Sequence, residues 1–457
     1  MDLATAAKAV NGKLTGDNLE FSSVSTDSRS LTTGDLFVAL KGPNFNGHDY
    51  VAQAEAAGAS ALLVSEPVKT SLPYISVENT MHGLGALAAA WKDQFKIPTV
   101  AITGSCGKTT VKEMVAQILS LSGSTLATKG NYNNEIGVPL TLLSINESHQ
   151  YAVIELGANH LGEIAYTVSL VKPNVAAITN AGSAHIEGFG SAENVARAKG
   201  EIYQGLVANG VAVINNDDSN CDYWRGIAKG YQQREFSLEN NQTNYHASEL
   251  QANQAGQFHF TLHAEEERID VQLSLLGKHN VINAVAAGAI AHVVGASMAH
   301  IKQGLEAAMP IKGRLYPILL NGQAIIDDSY NANPVSVKAA AQMLSELAAP
   351  TCIVLGDMAE LGTHAPSMHR EVGEYIAQLG ISCLVAKGRH AADYLVGFSK
   401  YQDERQKGVR FDEYEEVAGY LDETQPATIL VKGSRSSAME NIVQLLCDPD
   451  HINKRTR

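Results

Sequence analysis

Cysteine is sparse and unpatterned in this 457-residue chain: Cys106, Cys221, Cys352, Cys383 and Cys447 are scattered, with no C-x-x-C spacing. Such a set offers no zinc motif and reads as free thiols in a reducing cytoplasm. Positive charge is in deficit, with 34 Lys and Arg against 48 Asp and Glu, a net charge of −14. That balance argues against nucleic-acid binding and against a polybasic membrane surface, while leaving room for a local basic site that takes anionic substrates. No window approaches the roughly 18 uninterrupted apolar residues of a membrane span, so stable membrane insertion is not expected. No basic segment followed by an apolar core succeeds Met1, and no signal peptide is expected. Internal repeats and low-complexity segments do not stand out.

What is present is an ordinary globular composition, 45% hydrophobic and 18% charged. The length suits about two to four domains, each with its own core. Pattern changes predict three α/β domains: 1–82, 83–311 and 312–457. The first carries short β-like runs at 35–40, 61–64 and 74–77 around an Ala-rich helix at 50–57. In the second, apolar runs at 99–103, 151–154, 175–179 and 211–215 alternate with helical stretches, which predicts a parallel sheet. Residues 258–262 and 269–275 alternate with period two, which predicts antiparallel strands at its edge. The third, with strands at 324–327, 351–355, 383–386 and 428–431, reads as a Rossmann-like, doubly wound α/β domain.

The strongest motif is Gly104-Ser105-Cys106-Gly107-Lys108-Thr109-Thr110. It follows the apolar run 99–103 and opens a segment of helical period (Val111, Met114, Val115, Ile118, Leu119). Strand, glycine turn, Lys-Thr and helix form a phosphate-cradling loop, a P-loop, in which Lys108 reaches β/γ-phosphates and Thr109 ligates Mg²⁺. The spacing is shorter than the usual G-x-x-x-x-G-K.

Other candidates sit where later strands end, the edge at which ligands gather in open α/β sheets. Glu155 leaves a buried run beside a glycine, well placed to hold a phosphate-bound metal. His185 follows another run and suits a metal or phosphate role, or a structural one. Lys199, in a helical stretch, reads by composition as a solvated lysine. Asn280 suits a helix cap, and Asn283 one turn on suits reading a base edge. Asp327 and Asp328 alternate faces, so one of them readily faces a site. Asn333 fits an N-cap before Pro334.

Together these motifs resemble the Mur ligase family of ATP-dependent amide-forming enzymes. The short loop 104–109 is similar to that family's nucleotide loop. Residues 155–159, 180–185, 198–201 and 279–283 resemble its successive central blocks, and the likeness runs over essentially the whole chain. The flanking motifs at 26–29, 47–50, 328–334, 356–362 and 432–436 look most like those of the member that adds D-alanyl-D-alanine to UDP-N-acetylmuramoyl-tripeptide. The D-x-P-R motif usual in the diaminoacid-adding member is not found, and folylpolyglutamate synthetases lack this N-terminal block.

The resemblance implies a UDP-sugar-binding first domain, an ATP-binding P-loop second domain and a third domain for the incoming dipeptide. It implies ATP and Mg²⁺ as cofactors, with Gly104 to Thr110, Asn280, Asn283, Arg314 and Asp328 binding ATP. Catalysis would fall to Lys108, Glu155, His185, Lys199 and Arg314. Thr109 and Glu155 would hold one magnesium, and His185 a second together with Lys199 carrying a CO₂-derived carbamate. Substrate would meet Ser28, Arg29, Asn46, Gly47, His48, Asn133, Asn134, Glu135, Asn331, Asn333, Ser434 and Arg435. A cytoplasmic monomer is expected. Two alternatives remain open: another amide ligase of this class, or a P-loop NTPase or switch without ligase activity.

Overall fold

Three separate β-sheets organise the chain, and alternate residues of their strands feed a core on each face. They are seen in a computed structural model that describes residues 1–182, 186–320 and 322–448. The first sheet comprises β1 (Lys13–Thr15), β2 (Val24–Ser25), β3 (Leu36–Val38), β4 (Ala61–Val64) and β5 (Tyr74–Ser76). Their order is β1-β5-β4-β3-β2, parallel except for β1. The helix Thr80–Lys92 sends Leu84 and Leu87 into this sheet's core and Ala88 into that of the second sheet. Its Trp91 indole donates to the Ile145 carbonyl at 2.8 Å. The first two sheets therefore meet through a shared helix rather than a free linker.

The second sheet comprises β6 (Thr99–Thr103), β7 (Thr125–Ala127), β8 (Tyr151–Glu155), β9 (Val175–Ile178), β10 (Val211–Asn215), β11 (Gln232–Ser237), β12 (Tyr245–Ala252), β13 (Gln257–Ala264) and β14 (Glu267–Leu276). The order is β14-β13-β12-β11-β10-β9-β6-β8-β7. Val100, Ile102, Val153 and Val213 pack on one face, and Ala101, Ile154, Ile178 and Ile214 on the other. Burial on both faces explains the continuous apolar runs. The antiparallel edge is β12-β13-β14. The parallel part reaches further than the sequence suggests, because β11 and β12 extend it in parallel. β11 reads as polar (Gln232, Gln233, Arg234, Glu235) because most of it is only half-buried or exposed. After β6 the chain moves to one side for β7 and β8, then to the other for β9 and β10. The loop following β6 therefore lies at a topological switch point, the usual place for a ligand.

The third sheet comprises β15 (Tyr316–Leu320), β16 (Gln323–Asp328), β17 (Thr351–Leu355), β18 (Cys383–Lys387), β19 (Lys407–Phe411) and β20 (Thr428–Lys432). Its order is β15-β16-β20-β17-β18-β19, parallel except for β15. Insertion of the last strand between β16 and β17 sets Asp328 opposite Lys432. Among the described residues, no helix is long and apolar enough to cross a membrane.

Candidate active site

Gly107 begins the helix Lys108–Ser120 with φ +81°, a left-handed conformation that favours glycine. A Cβ there would come within 2.5 Å of the Asn283 side-chain oxygen. Val111, Met114, Val115, Ile118 and Leu119 are buried, as the period predicts. Asn180, at the end of β9, fastens the loop. Its backbone carbonyl accepts from Ser105 N at 2.9 Å, its side-chain oxygen from Cys106 N at 2.9 Å, and its amide donates to the Cys106 carbonyl at 3.1 Å. Two loop N–H groups are thus occupied. The donors left for an anion are those of the helix's first turn, which have no intrahelical partner. Lys108 Nζ folds back onto the Gly104 carbonyl at 2.5 Å, and loss of hydration there holds its ammonium below the usual lysine range.

A cavity of about 600 Å³ opens in front of this loop, between the second and third sheets. It brings together residues that lie far apart in the chain. Ser105 to Thr110, Asn133, Asn134, Glu135 and Glu155 line it from one side, with Asn280 and Asn283. Arg314, Asp328, Asn331 and Asn333 line it from the other. Glu155 is 2% exposed; one carboxylate oxygen accepts from the Asn133 amide at 2.8 Å and the other has no partner among the described residues. An unanswered buried carboxylate oxygen is costly unless something cationic meets it. Beside a phosphate loop and the Thr109 hydroxyl, this donor set fits magnesium, which binds through one or two carboxylates and completes its shell with phosphate oxygens and water. Among the described residues, no group of three or more His, Cys, Asp or Glu converges on a metal position.

Asn280 lies inside its helix, since Gly277 occupies the N-cap position of Lys278–Val294. Its amide reaches back to the Leu276 carbonyl at 2.8 Å, and its oxygen accepts from Asn283 at 3.0 Å. His279 lines the same wall, and burial, with the Lys432 charge adding to it, pushes its pKa down to about 4.

On the third-sheet side, Asp328 is buried and accepts from Lys432 Nζ at 2.6 Å and from Leu315 N at 3.1 Å. Burial pushes its carboxyl up, and the Lys432 charge opposes that. Removing one member of such a pair typically costs about 3–5 kcal/mol, because the other charge is left buried alone. Asp327 points elsewhere and accepts from the Ser329 hydroxyl at 2.5 Å. The Arg314 guanidinium stacks on Tyr330, 4.1 Å from the ring centre. Asn333 caps the helix Pro334–Ser345 in a capping box, as its sequence setting predicts. It does a second job as well, because its amide donates to Cys106 Sγ in the nucleotide loop at 3.3 Å.

Other expected site residues lie apart from this cavity. Lys199 is 1% exposed, not the solvated residue that composition suggests. Burial, aided by the nearby Lys108 charge, pushes its pKa down to about 7. Gly104 directly follows β6 and opens the loop, with φ +150°. His185 lies outside the described residues. On the first sheet, Arg29 forms a fork on Asp27 (Nε–Oδ1 2.9 Å, Nη2–Oδ2 2.7 Å), and its side chain is 81% exposed. Ser28 is half-buried beside it. Asn46 binds His48 Nδ1 at 2.7 Å and Glu66 at 3.0 Å, while His48 Nε2 accepts from Ser65 N at 2.9 Å. Gly47 passes so close to Leu40 that a Cβ would sit 2.6 Å from its carbonyl oxygen. In the third sheet, Ser434 is buried among the hydroxyls of Ser436 and Ser437, and Arg435 pairs with Glu440.

Sequence reasoning left Asn180, Tyr330 and Lys432 without roles. Lys432 carried the same signal as Glu155, a charged residue ending an otherwise apolar buried strand.

The fold and the site define a protein of three α/β units with a nucleotide-type loop facing the cavity between two of them, and comparison with known proteins says which kind. Residues 102–291 match the Mur ligase middle domain, 313–435 the Mur ligase glutamate ligase domain, and 20–92 the Mur ligase family catalytic domain. A UDP-N-acetylmuramoyl-tripeptide--D-alanyl-D-alanine ligase of Escherichia coli is 44% identical, over 97% of this chain and 98% of that protein. The ligase of the same name from Haemophilus influenzae is 41% identical over 97% of each. Among solved structures, MurF from Acinetobacter baumannii superposes with a TM-score of 0.92 at 38% identity, over 97% of this chain and 98% of that one. MurF ligase from Thermotoga maritima in complex with ADP gives 0.86 at 26% identity, over 96% and 100%. The chain belongs to the Mur ligase family.

Proposed function

We infer that this protein is an ATP-dependent, ADP-forming ligase that joins D-alanyl-D-alanine to UDP-N-acetylmuramoyl-tripeptide, in the cytoplasmic assembly of peptidoglycan precursor. ATP and Mg²⁺ are its cofactors. The observation that carries the reading at the level of residues is the Glu155 oxygen without a partner among the described residues. Its carboxylate lines a cavity that also holds the nucleotide loop and, from another sheet, Arg314 and Asp328.

The chemistry follows from charge. A terminal carboxylate oxygen of the tripeptide bonds to the γ-phosphorus as the bond to ADP breaks. The dipeptide amine then bonds to the acyl carbon, and phosphate and a proton leave. Carboxylate and triphosphate repel, so cationic groups must neutralise the charge that gathers between them. Lys108 and Arg314 do so from opposite walls. Thr109 and Glu155 would hold magnesium, whose charge would screen the phosphate oxygens. Asn280 and Asn283 face the base, and Asp328 the ribose. Asn133, Asn134 and Glu135 meet the sugar-peptide, and Ser28, Arg29, Asn46, Gly47 and His48 its UDP end. Asn331, Asn333, Ser434 and Arg435 serve substrate from the third unit. The blocks 1–82, 83–311 and 312–457 divide these tasks.

Lys199 carries a carbamate in this reading. A buried amine that is neutral above pH about 7 can attack the carbon of CO₂, forming an N–C bond and releasing a proton. The cation becomes an anion whose oxygens, with His185, suit a second magnesium.

The test is ADP release by the purified chain with ATP, magnesium, the UDP-sugar tripeptide and D-alanyl-D-alanine, omitting each in turn. Release that needs both peptides supports the assignment. Hydrolysis indifferent to them, or turnover with folate and glutamate instead, overturns it.

A further inference from the structure

Lys432 ends β20 and is 3% exposed, yet it lines the nucleotide cavity. Two of its three N–H bonds are engaged within the third unit, to Asp328 Oδ2 at 2.6 Å and to the Asn331 carbonyl at 2.8 Å. Asp328 in turn accepts from the backbone N–H of Leu315 through its other oxygen. Leu315 is a buried non-glycine residue with φ +48°, in the left-handed region that a leucine occupies only when its surroundings insist. Arg314 directly precedes it. The same turn is strapped a second time, because Tyr330 N donates to the Gly313 carbonyl at 3.0 Å and the Tyr330 ring carries the Arg314 guanidinium.

An ammonium, a carboxylate, a strained turn and a guanidinium thus form one connected series. Without the ammonium, the Asp328 carboxylate would have no counter-charge and would take a proton or seek water. The strained turn would then lose the acceptor that fixes it. We propose that Lys432 is a positioning residue for the nucleotide: it fixes the Asp328 carboxylate and, through the Leu315 turn, the Arg314 guanidinium against the cavity. This rests on the ligase reading above and adds a residue to it.

The test compares wild type, K432Q, K432R, D328N and the K432Q/D328N pair in the full chain. KM is measured for ATP and for both peptide substrates, alongside melting temperature and ADP binding by titration calorimetry. We expect K432Q to raise the KM for ATP and the Kd for ADP by about tenfold or more, with the two peptide KM values unchanged. K432R restores part of the loss. The double variant, which removes both charges and so leaves none buried alone, binds ADP no worse than D328N. The proposal is overturned if K432Q leaves ATP and ADP affinity unchanged, or if all three KM values rise together in step with a lowered melting temperature. Should K432Q fail to fold, an intact nucleotide affinity in the double variant together with an intact one in D328N would overturn it equally. If wild type turns over neither peptide, the ligase reading fails, while the ADP titrations still decide the role of Lys432.

Discussion

Around the central cavity polar groups are buried and in part unanswered, whereas on the rim of the first sheet they are exposed and already paired. Glu155 keeps an oxygen with no partner among the described residues at 2% exposure, and Asp328 meets Lys432 out of water. Arg29 instead spreads its fork on Asp27 in solvent, and that pairing holds the Asp27 carboxyl down at about 2. Exposed pairs of this kind hold weakly and are screened by salt, so Arg29 can be given up to a ligand phosphate with little loss. In the proposed function the cavity is completed by what binds there, and the rim exchanges one partner for another. Substitutions in the cavity should therefore act on chemistry and on magnesium, and those on the rim on the affinity of one substrate.

The steepest loss is expected for Lys108→Ala, about 10³-fold in the rate of ADP formation, because among the described residues lining that wall of the cavity Lys108 is the one lysine or arginine. Activity within about tenfold of wild type would place the chemistry elsewhere. Next comes Glu155→Gln, about 100-fold lower activity that excess magnesium partly restores; a magnesium titration of ADP release reads this, and a loss that no magnesium relieves would count against the metal. Lys199→Ala should cost roughly 10–100-fold and recover with short carboxylic acids that replace the carbamate. In wild type, the signal from ¹³C-bicarbonate bound to Lys199 should grow as pH rises through about 7, since a depressed pKa leaves the amine neutral above it and protonated below. A signal absent at every pH would remove the carbamate. Mildest is Arg29→Ala, which should raise the KM for the UDP-sugar peptide by about tenfold and leave the KM for ATP alone. An equal rise in both would erase the distinction between rim and cavity.

Much of this arrangement is legible in the sequence where burial on both faces writes it plainly. The runs that became β6, β8, β9 and β10 are apolar because helices cover both sides of them. Short, half-exposed strands such as β1, β2 and β11 leave no comparable trace, since solvent-facing positions accept polar residues. The nucleotide loop was legible because φ at Gly107 and the lack of space beside Asn283 both favour glycine. The burial of Lys199 was not, because a lysine in a helical stretch looks the same whether its amine meets water or a core. Nor was the Asp328–Lys432 pair, whose members are brought opposite each other only by the strand order β16-β20. Asn333 was legible for one of its tasks, since a cap before proline is a local pattern and contact with Cys106 is not.

That contact carries a thermodynamic consequence. Any motion that parts the third unit from the second separates Asn333 from the nucleotide loop, so the state of the loop and the position of the unit share one free energy. Reciprocity then fixes the outcome in both directions. By whatever factor closure tightens the hold on nucleotide, bound nucleotide must favour closure by the same factor. A variant that weakens this single amide–thiol contact without disturbing the cap would change how strongly the two events are tied, and either could be used to measure the other.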